Sequence, residues 1–218
     1  MFNELVRHPI IAARFIKKRI MEIPSKGLPR FRKPNDDEFD KKHGVETSKL
    51  VQFVPTNSEN VSHGNRYSAA SESVIRWCIE NCGMPLESTT FVDVGSGKGR
   101  ALIVATFYPL KKIVGVEYSS ELAEICCKNL LKMGLQSKAE VVVCDAAEFC
   151  FPDGDLLVFL YNPFDGVILE RVLKTLAAAS GRVRIAQLGP GHEIIRRSGL
   201  AREICSGDGP TIYEILNP

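Results

Sequence analysis

From about residue 68 to the end of this 218-residue chain, short apolar runs alternate with segments of helical period, and this alternation most narrows what the chain can fold into. The pattern predicts a helix over 68–82, a strand over 90–94, a helix over 99–107, a strand over 112–117, a helix over 119–133 and a strand over 140–144. A loop then leads to a strand over 156–161, a helix over 166–179, a strand over 182–188 and a short helix over 191–198. Two strands near 200–205 and 211–216 end the chain as a hairpin. Runs such as Lys111-Lys112-Ile113-Val114-Gly115-Val116 and Glu140-Val141-Val142-Val143-Cys144 read as strands covered by helices on both faces. Repeated right-handed β-α units then give a mostly parallel, Rossmann-like α/β sheet with a C-terminal antiparallel hairpin. Ligands of such sheets sit beyond the carboxyl ends of the strands, near the point where strand order reverses.

The first third of the chain is different in kind. Residues 1–50 hold 12 Lys+Arg against 7 Asp+Glu, whereas residues 51–218 hold 16 against 19, so the small net charge of +2 hides a basic N-terminus. Residues 1–23 combine Arg7, Arg14, Lys17, Lys18 and Arg19 with Leu5, Ile11, Phe15 and Ile16 at helical spacing, a basic amphipathic helix. Three uses stay open for it: packing on the domain or a partner, contact with a membrane surface or anionic partner, and organelle targeting, which the scarcity of serine disfavours. Pro24, Gly27, Pro29 and Pro34 mark a linker, and the polar stretch that follows carries enough apolar residues, Phe39 and Val45 among them, to lie on the core. Residues 24–65 are therefore expected to form a linker and lid-like segment, ahead of a domain over 66–218.

Charge this close to neutral lacks the field that long nucleic acid tracks use, so nucleic acid is not indicated as a partner. The 7 cysteines are odd in number, without Cys-x-x-Cys spacing, and most lie in apolar runs, which suits reduced thiols and a cytoplasmic location. Cys126-Cys127 reads as core-facing helix. The 4 histidines are scattered, so no metal site is expected, and His43 in its polar segment reads as solvated or at most as a base. No apolar run reaches the ~18 residues that span a bilayer.

The unusual residues gather at the strand ends. Asp93-Val94-Gly95-Ser96-Gly97-Lys98-Gly99-Arg100 runs from a strand through a glycine-rich turn into a helix, where missing side chains let a ligand approach the backbone. In the dinucleotide fingerprint a third glycine would fall at Arg100, and arginine there is a poor substitute. Glu117-Tyr118 ends the next strand, Asp145-Ala146 the one after, and Tyr161-Asn162-Pro163-Phe164 the fourth. Each acid alone could simply cap the following helix.

Taken in order, these motifs resemble those of class I S-adenosyl-L-methionine (SAM) dependent methyltransferases, and the strings Asp-Val-Gly-Ser-Gly-Lys-Gly-Arg and Tyr-Asn-Pro-Phe resemble a group of little-characterised, mostly bacterial members. The resemblance implies SAM as cofactor, with Asp93, Gly95, Ser96, Gly97 and Gly99 around its methionine part. It implies Glu117 on the ribose hydroxyls, Tyr118 against the adenine, and Asp145 with Ala146 at the adenine amino group. Asn162-Pro163-Phe164 resembles the Asn/Asp-Pro-Pro-Tyr/Phe turn of amino methyltransferases, one proline shorter. That implies an N-methyltransferase acting on an amino group of a protein or small molecule, with Asn162, the Pro163 carbonyl and Phe164 holding the acceptor. The lead-in Phe39 to Ser48, with Arg66-Tyr67, resembles the same group and implies a segment closing over the cofactor, Thr47 or Tyr67 lining the site. The competing reading is a catalytically silent SAM-binding scaffold that acts through protein contacts.

Overall fold

The computed structural model describes residues 36–49 and 68–216, all within a unit that runs from Lys33 to Pro218. The helix expected over 1–23, the linker from Pro24, and Arg66-Tyr67 lie outside the described residues. In order come α1 (Asp36–His43), α2 (Glu72–Glu80), β1 (Thr90–Val94), α3 (Arg100–Ala105), β2 (Lys112–Glu117), α4 (Ser120–Lys132) and β3 (Glu140–Val143). After these follow β4 (Leu156–Tyr161), α5 (Gly166–Ala177), β5 (Val183–Leu188), α6 (His192–Ser198), β6 (Ala201–Ser206) and β7 (Pro210–Ile215).

The strands form one sheet in the order β3-β2-β1-β4-β5-β7-β6. β3, β2, β1, β4 and β5 are parallel, while β7 runs antiparallel to both β5 and β6. The order reverses between β1 and β4, which opens a crevice at their carboxyl ends.

Period-two alternation sends successive side chains to opposite cores. In β1, Phe91 joins the core beneath α1–α4, whereas Val92 and Val94 join the one beneath α5 and α6. β4 does the same, Leu157 and Phe159 facing one way, Leu156, Val158 and Leu160 the other. Side-chain oxygens cap the helices that leave the strands: Ser119 accepts from the Leu122 N–H at the start of α4, Asp165 from the Val167 N–H at the start of α5.

Two expectations need correction. The Glu140–Cys144 run is not a strand buried on both faces: β3 is the edge of the sheet, with Glu140 exposed and Val143 57% exposed. An edge strand has one neighbour, and the irregular chain after β3, carrying Phe149 and Phe151 onto the second core, replaces a covering helix. The polar lead-in also contains a helix, α1, that its hydropathy does not suggest. Phe39 is its buried apolar anchor, and contacts with distant residues hold the rest.

Candidate functional site

On the α3 side of the sheet, the last residues of β1, β2 and β4 in phase with their core positions are Asp93, Glu117 and Tyr161. Gly115 precedes Glu117 on that face, and its missing side chain admits α3: a Cβ there would come within 2.6 Å of Leu102 and 2.8 Å of Ser96 Oγ. The glycine-rich turn is thereby drawn against β2. The N–H groups of Gly95 and Ser96 donate to the Val116 carbonyl at 2.8 and 3.0 Å, and that of Gly99 to the Ser96 carbonyl at 2.9 Å.

Glu117 continues this pinning. Its Oε2 accepts from the Gly97 N–H at 2.8 Å and its Oε1 from the Ser119 N–H at 2.9 Å, so it ties the turn to the start of α4. The cap of α4 is Ser119 and not Glu117, whose carboxylate accepts from the backbone of Gly97, Tyr118 and Ser119. Burial raises its pKa against these backbone bonds, which pull the other way. Asp93 is 4% exposed. Burial first, and the Glu117 charge second, push its pKa up to about 8.

Across the crevice, Asn162 leaves β4 with φ of 46°, the left-handed conformation that asparagine tolerates better than most residues. Two glycines make room for this turn. A Cβ on Gly95, itself at φ +81°, would fall on Pro163 Cβ, and one on Gly189 would stand 3.3 Å from Asn162 Cβ. The Asn-Pro step is therefore seated directly on the glycine-rich turn. Phe164 is half-buried against the core beneath α5 and α6.

A cleft opens at this junction. Asp93, Gly95 and Ser96 line it together with Arg100 and Ala101 of α3, Phe159 and Tyr161 of β4, and the strip Ser68–Ala70. The Ser96 Oγ is buried and has no hydrogen-bond partner among the described residues. Asp145 lies beyond β3, its Oδ1 accepting from the Ala147 N–H at 2.9 Å, so it orders a turn; Tyr118 and Ala146 are half-buried beside their acids. Gly99 serves packing, since a Cβ there would overlap Cys126 Sγ. The Cys126-Cys127 pair splits, Cys126 buried and Cys127 exposed.

The fold as a whole superposes on solved structures. A SAM-dependent methyltransferase of Methanococcus maripaludis, described as putative, superposes with a TM-score of 0.52 at 14% identity over 67% of this chain and 85% of that one. An RNA methyltransferase of Salinibacter ruber, solved with S-adenosyl-L-homocysteine, gives 0.51 at 19% identity over 69% of this chain and 94% of that one. The chain has the class I methyltransferase fold. No family model matches it. Among curated proteins, the Caenorhabditis elegans rRNA N(6)-adenosine-methyltransferase metl-5 is 30% identical over 104 residues, 45% of this chain and 48% of that protein. The chain thus spans about half the length of the curated relative it matches.

Of the two lead-in residues expected to line the site, Tyr67 lies outside the described residues and Thr47 does not line this cleft. Thr47 is fully buried and hydrogen-bonds Arg100 Nε at 2.7 Å and Asp40 Oδ1 at 2.6 Å, so it stands behind the cleft wall and not in the cleft. His43 is half-buried and packs between Phe39 and Phe107, with ring centroids 4.5 and 5.7 Å away, and burial with the Lys42 charge lowers its pKa. Sequence reasoning missed the strip Ser68–Ala70 and the cleft side chain Phe159. Strand alternation places Phe159 on the Tyr161 face and supplied the signal; for the strip there was none.

Proposed function

We propose that this chain is a SAM-dependent methyltransferase that methylates an amino nitrogen. The observation that carries the reading is the Asn162-Pro163 turn, held in a left-handed conformation on top of Gly95, which joins an acceptor-type polar turn to a cofactor-type glycine turn. The cleft residues fit such a cofactor. Asp93, to which no hydrogen bond is donated among the described residues, suits a cationic amino end, and the unpartnered Ser96 Oγ offers a further polar contact. Glu117 would take ribose hydroxyls, with Tyr118, Asp145 and Ala146 toward the adenine. Two buried carboxyls facing one turn disfavour a pyrophosphate, and Arg100, buried under the lead-in, fills the place of the dinucleotide glycine.

When bound, SAM supplies an electrophilic methyl group on a sulfonium. The chain's own work is to position and to exclude water, which in favourable cases lowers a barrier by ~7–11 kcal/mol. The Asn162 side-chain oxygen and the Pro163 carbonyl accept from the attacking amino group and direct its lone pair, while Tyr161 and Phe164 give aromatic surface beside it. A planar amino group, such as that of an amide or a nucleobase, matches this set. The worm relative is named for an adenosine N6 acceptor, so RNA adenines join protein and small-molecule amines among the acceptors to test.

The test titrates the purified chain with SAM, S-adenosyl-L-homocysteine and NAD in parallel, then repeats it on two variants. Glu117→Ala weakens binding at least ~10-fold, because ribose contacts and the turn's own anchor are both lost. Asn162→Ala leaves affinity within about twofold and lowers turnover ~100-fold on any acceptor found. Equal affinity of wild type and Glu117→Ala would sink the site, and binding of NAD alone would sink the reading.

A further inference from the structure

The string Gly97-Lys98-Gly99-Arg100 carries two cations that the cofactor reading does not use. Both are buried, Lys98 at 1% and Arg100 at 3% exposure. Lys98 Nζ donates to Glu46 Oε1 at 2.7 Å and to the Lys49 carbonyl at 3.0 Å. Asn129 of α4 bridges both sides, its Nδ2 donating to the Glu46 and Lys98 carbonyls while its Oδ1 accepts from the Glu46 N–H. The lead-in is thus bolted to the back of the glycine-rich turn.

Arg100 differs from Lys98 because it belongs to the cleft as well. Its Nε donates to Thr47 Oγ1, its Nη2 lies 3.5 Å from Asp40 Oδ1, and its guanidinium carbon lies 5.0 Å from the Phe39 ring centre. Its Nη1 donates at 3.4 Å to the carbonyl of Ala70, in the strip that lines the cleft. One planar group thereby joins α1, the Thr47 turn, the first residue of α3 and the cleft wall. A lysine ammonium has no fixed fork with which to reach the same partners.

We infer that Arg100 is a positioning residue that couples the lead-in to cofactor affinity, by holding the Ser68–Ala70 wall in place through a guanidinium that Asp40 and Thr47 orient from behind. This rests on the reading of the cleft as a SAM site. Thr47 does not line the cleft, and its hydrogen bond to Arg100 Nε gives a change there a route to the cleft wall. The loop is closed locally by Asp40, which also accepts from the Thr47 N–H at 2.8 Å and from Ser48 Oγ at 2.6 Å.

The experiment measures S-adenosyl-L-homocysteine affinity by calorimetry and thermal midpoint by melting, on the full chain. The variants are Arg100→Lys, Thr47→Val, their combination, and Val172→Ala in the core beneath α5 and α6. Coupling predicts that Arg100→Lys and Thr47→Val each raise Kd ~10-fold or more, that the combination adds little beyond Arg100→Lys, and that Val172→Ala melts earlier with Kd within about twofold. Lowered midpoints with unchanged Kd in Arg100→Lys and Thr47→Val would overturn the inference, leaving Arg100 a purely structural anchor. If Arg100→Lys does not fold, Thr47→Val decides alone. Failure of the wild-type chain to bind the probe speaks against the cofactor reading itself, so the two failures are distinguishable.

Discussion

Asp93→Asn yields a protein that melts at a higher temperature than wild type at alkaline pH and no longer binds SAM. Burial and the neighbouring Glu117 push the Asp93 pKa from 3.8 up to about 8, so the folded chain holds a proton there that the unfolded chain gives up near pH 4. The stability tied to this proton is complete below about pH 4 and is lost as pH rises through about 8. A tenfold change in proton affinity is worth ~1.4 kcal/mol, so even a quarter of the rise at Asp93 amounts to about that much. For a chain of this size each kcal/mol moves the midpoint by ~2–4 °C. Melting from pH 5 to 9 therefore gives a falling curve for wild type and a flatter one for Asp93→Asn, with a gap of ~3 °C or more at pH 9. Some slope remains in the variant, because the pKa of Glu117 is raised as well. Parallel curves would show that Asp93 is not protonated in the folded state.

The same proton enters ligand binding. A carboxyl that must ionise to meet an ammonium releases its proton on binding, so affinity for S-adenosyl-L-homocysteine rises with pH until about 8. Above that pH Asp93 is already ionised in the free protein, and affinity levels off. Calorimetry in buffers of different ionisation enthalpy reads the released proton directly. Asp93 is thus a group whose burial works against the ligand-free fold and in favour of the complex, a conflict common at functional sites.

Gly95→Ala damages the site from the other direction. At φ +81° an alanine is strained by ~1 kcal/mol, and its Cβ would fall on Pro163 Cβ, so the Asn162-Pro163 turn has to move away from the cofactor side. The expected result is a lower melting midpoint with S-adenosyl-L-homocysteine affinity reduced ~100-fold or more. Gly134→Ala is the control, because Gly134 has φ +66° and nothing within 4 Å of a Cβ. It bears the backbone strain alone and keeps its affinity. If the two alanine variants bind the ligand equally well, the close seating of Pro163 on Gly95 has no part in forming the site.

The strands and most helices were legible because their signals are local. β1, β2 and β4 begin and end where the apolar runs do, and α4, α5 and α6 fall within a residue or two of their periodic segments. The position of Glu117 was legible for a related reason, since a charge ending an apolar run is conspicuous in a linear reading. α1 was not. Its eight residues are mostly charged, and it is held by Phe39 in a core assembled from distant segments and by Arg100, 60 residues on from Asp40. No window along the chain contains that partner.

Sequence by itself determined the β-α order, the sheet class and the identity of the residues at the strand ends, because periodicity and turn chemistry act over a few neighbours. Only the tertiary structure decided which strand is the edge, that Pro163 sits on Gly95, that Glu117 grips the turn it follows, and that Lys98 and Arg100 face the lead-in. These outcomes depend on which surfaces meet across the sheet. Burial then sets their energetics, turning an ordinary aspartate into one that holds its proton to about pH 8 and an arginine at a helix start into the joint of three segments.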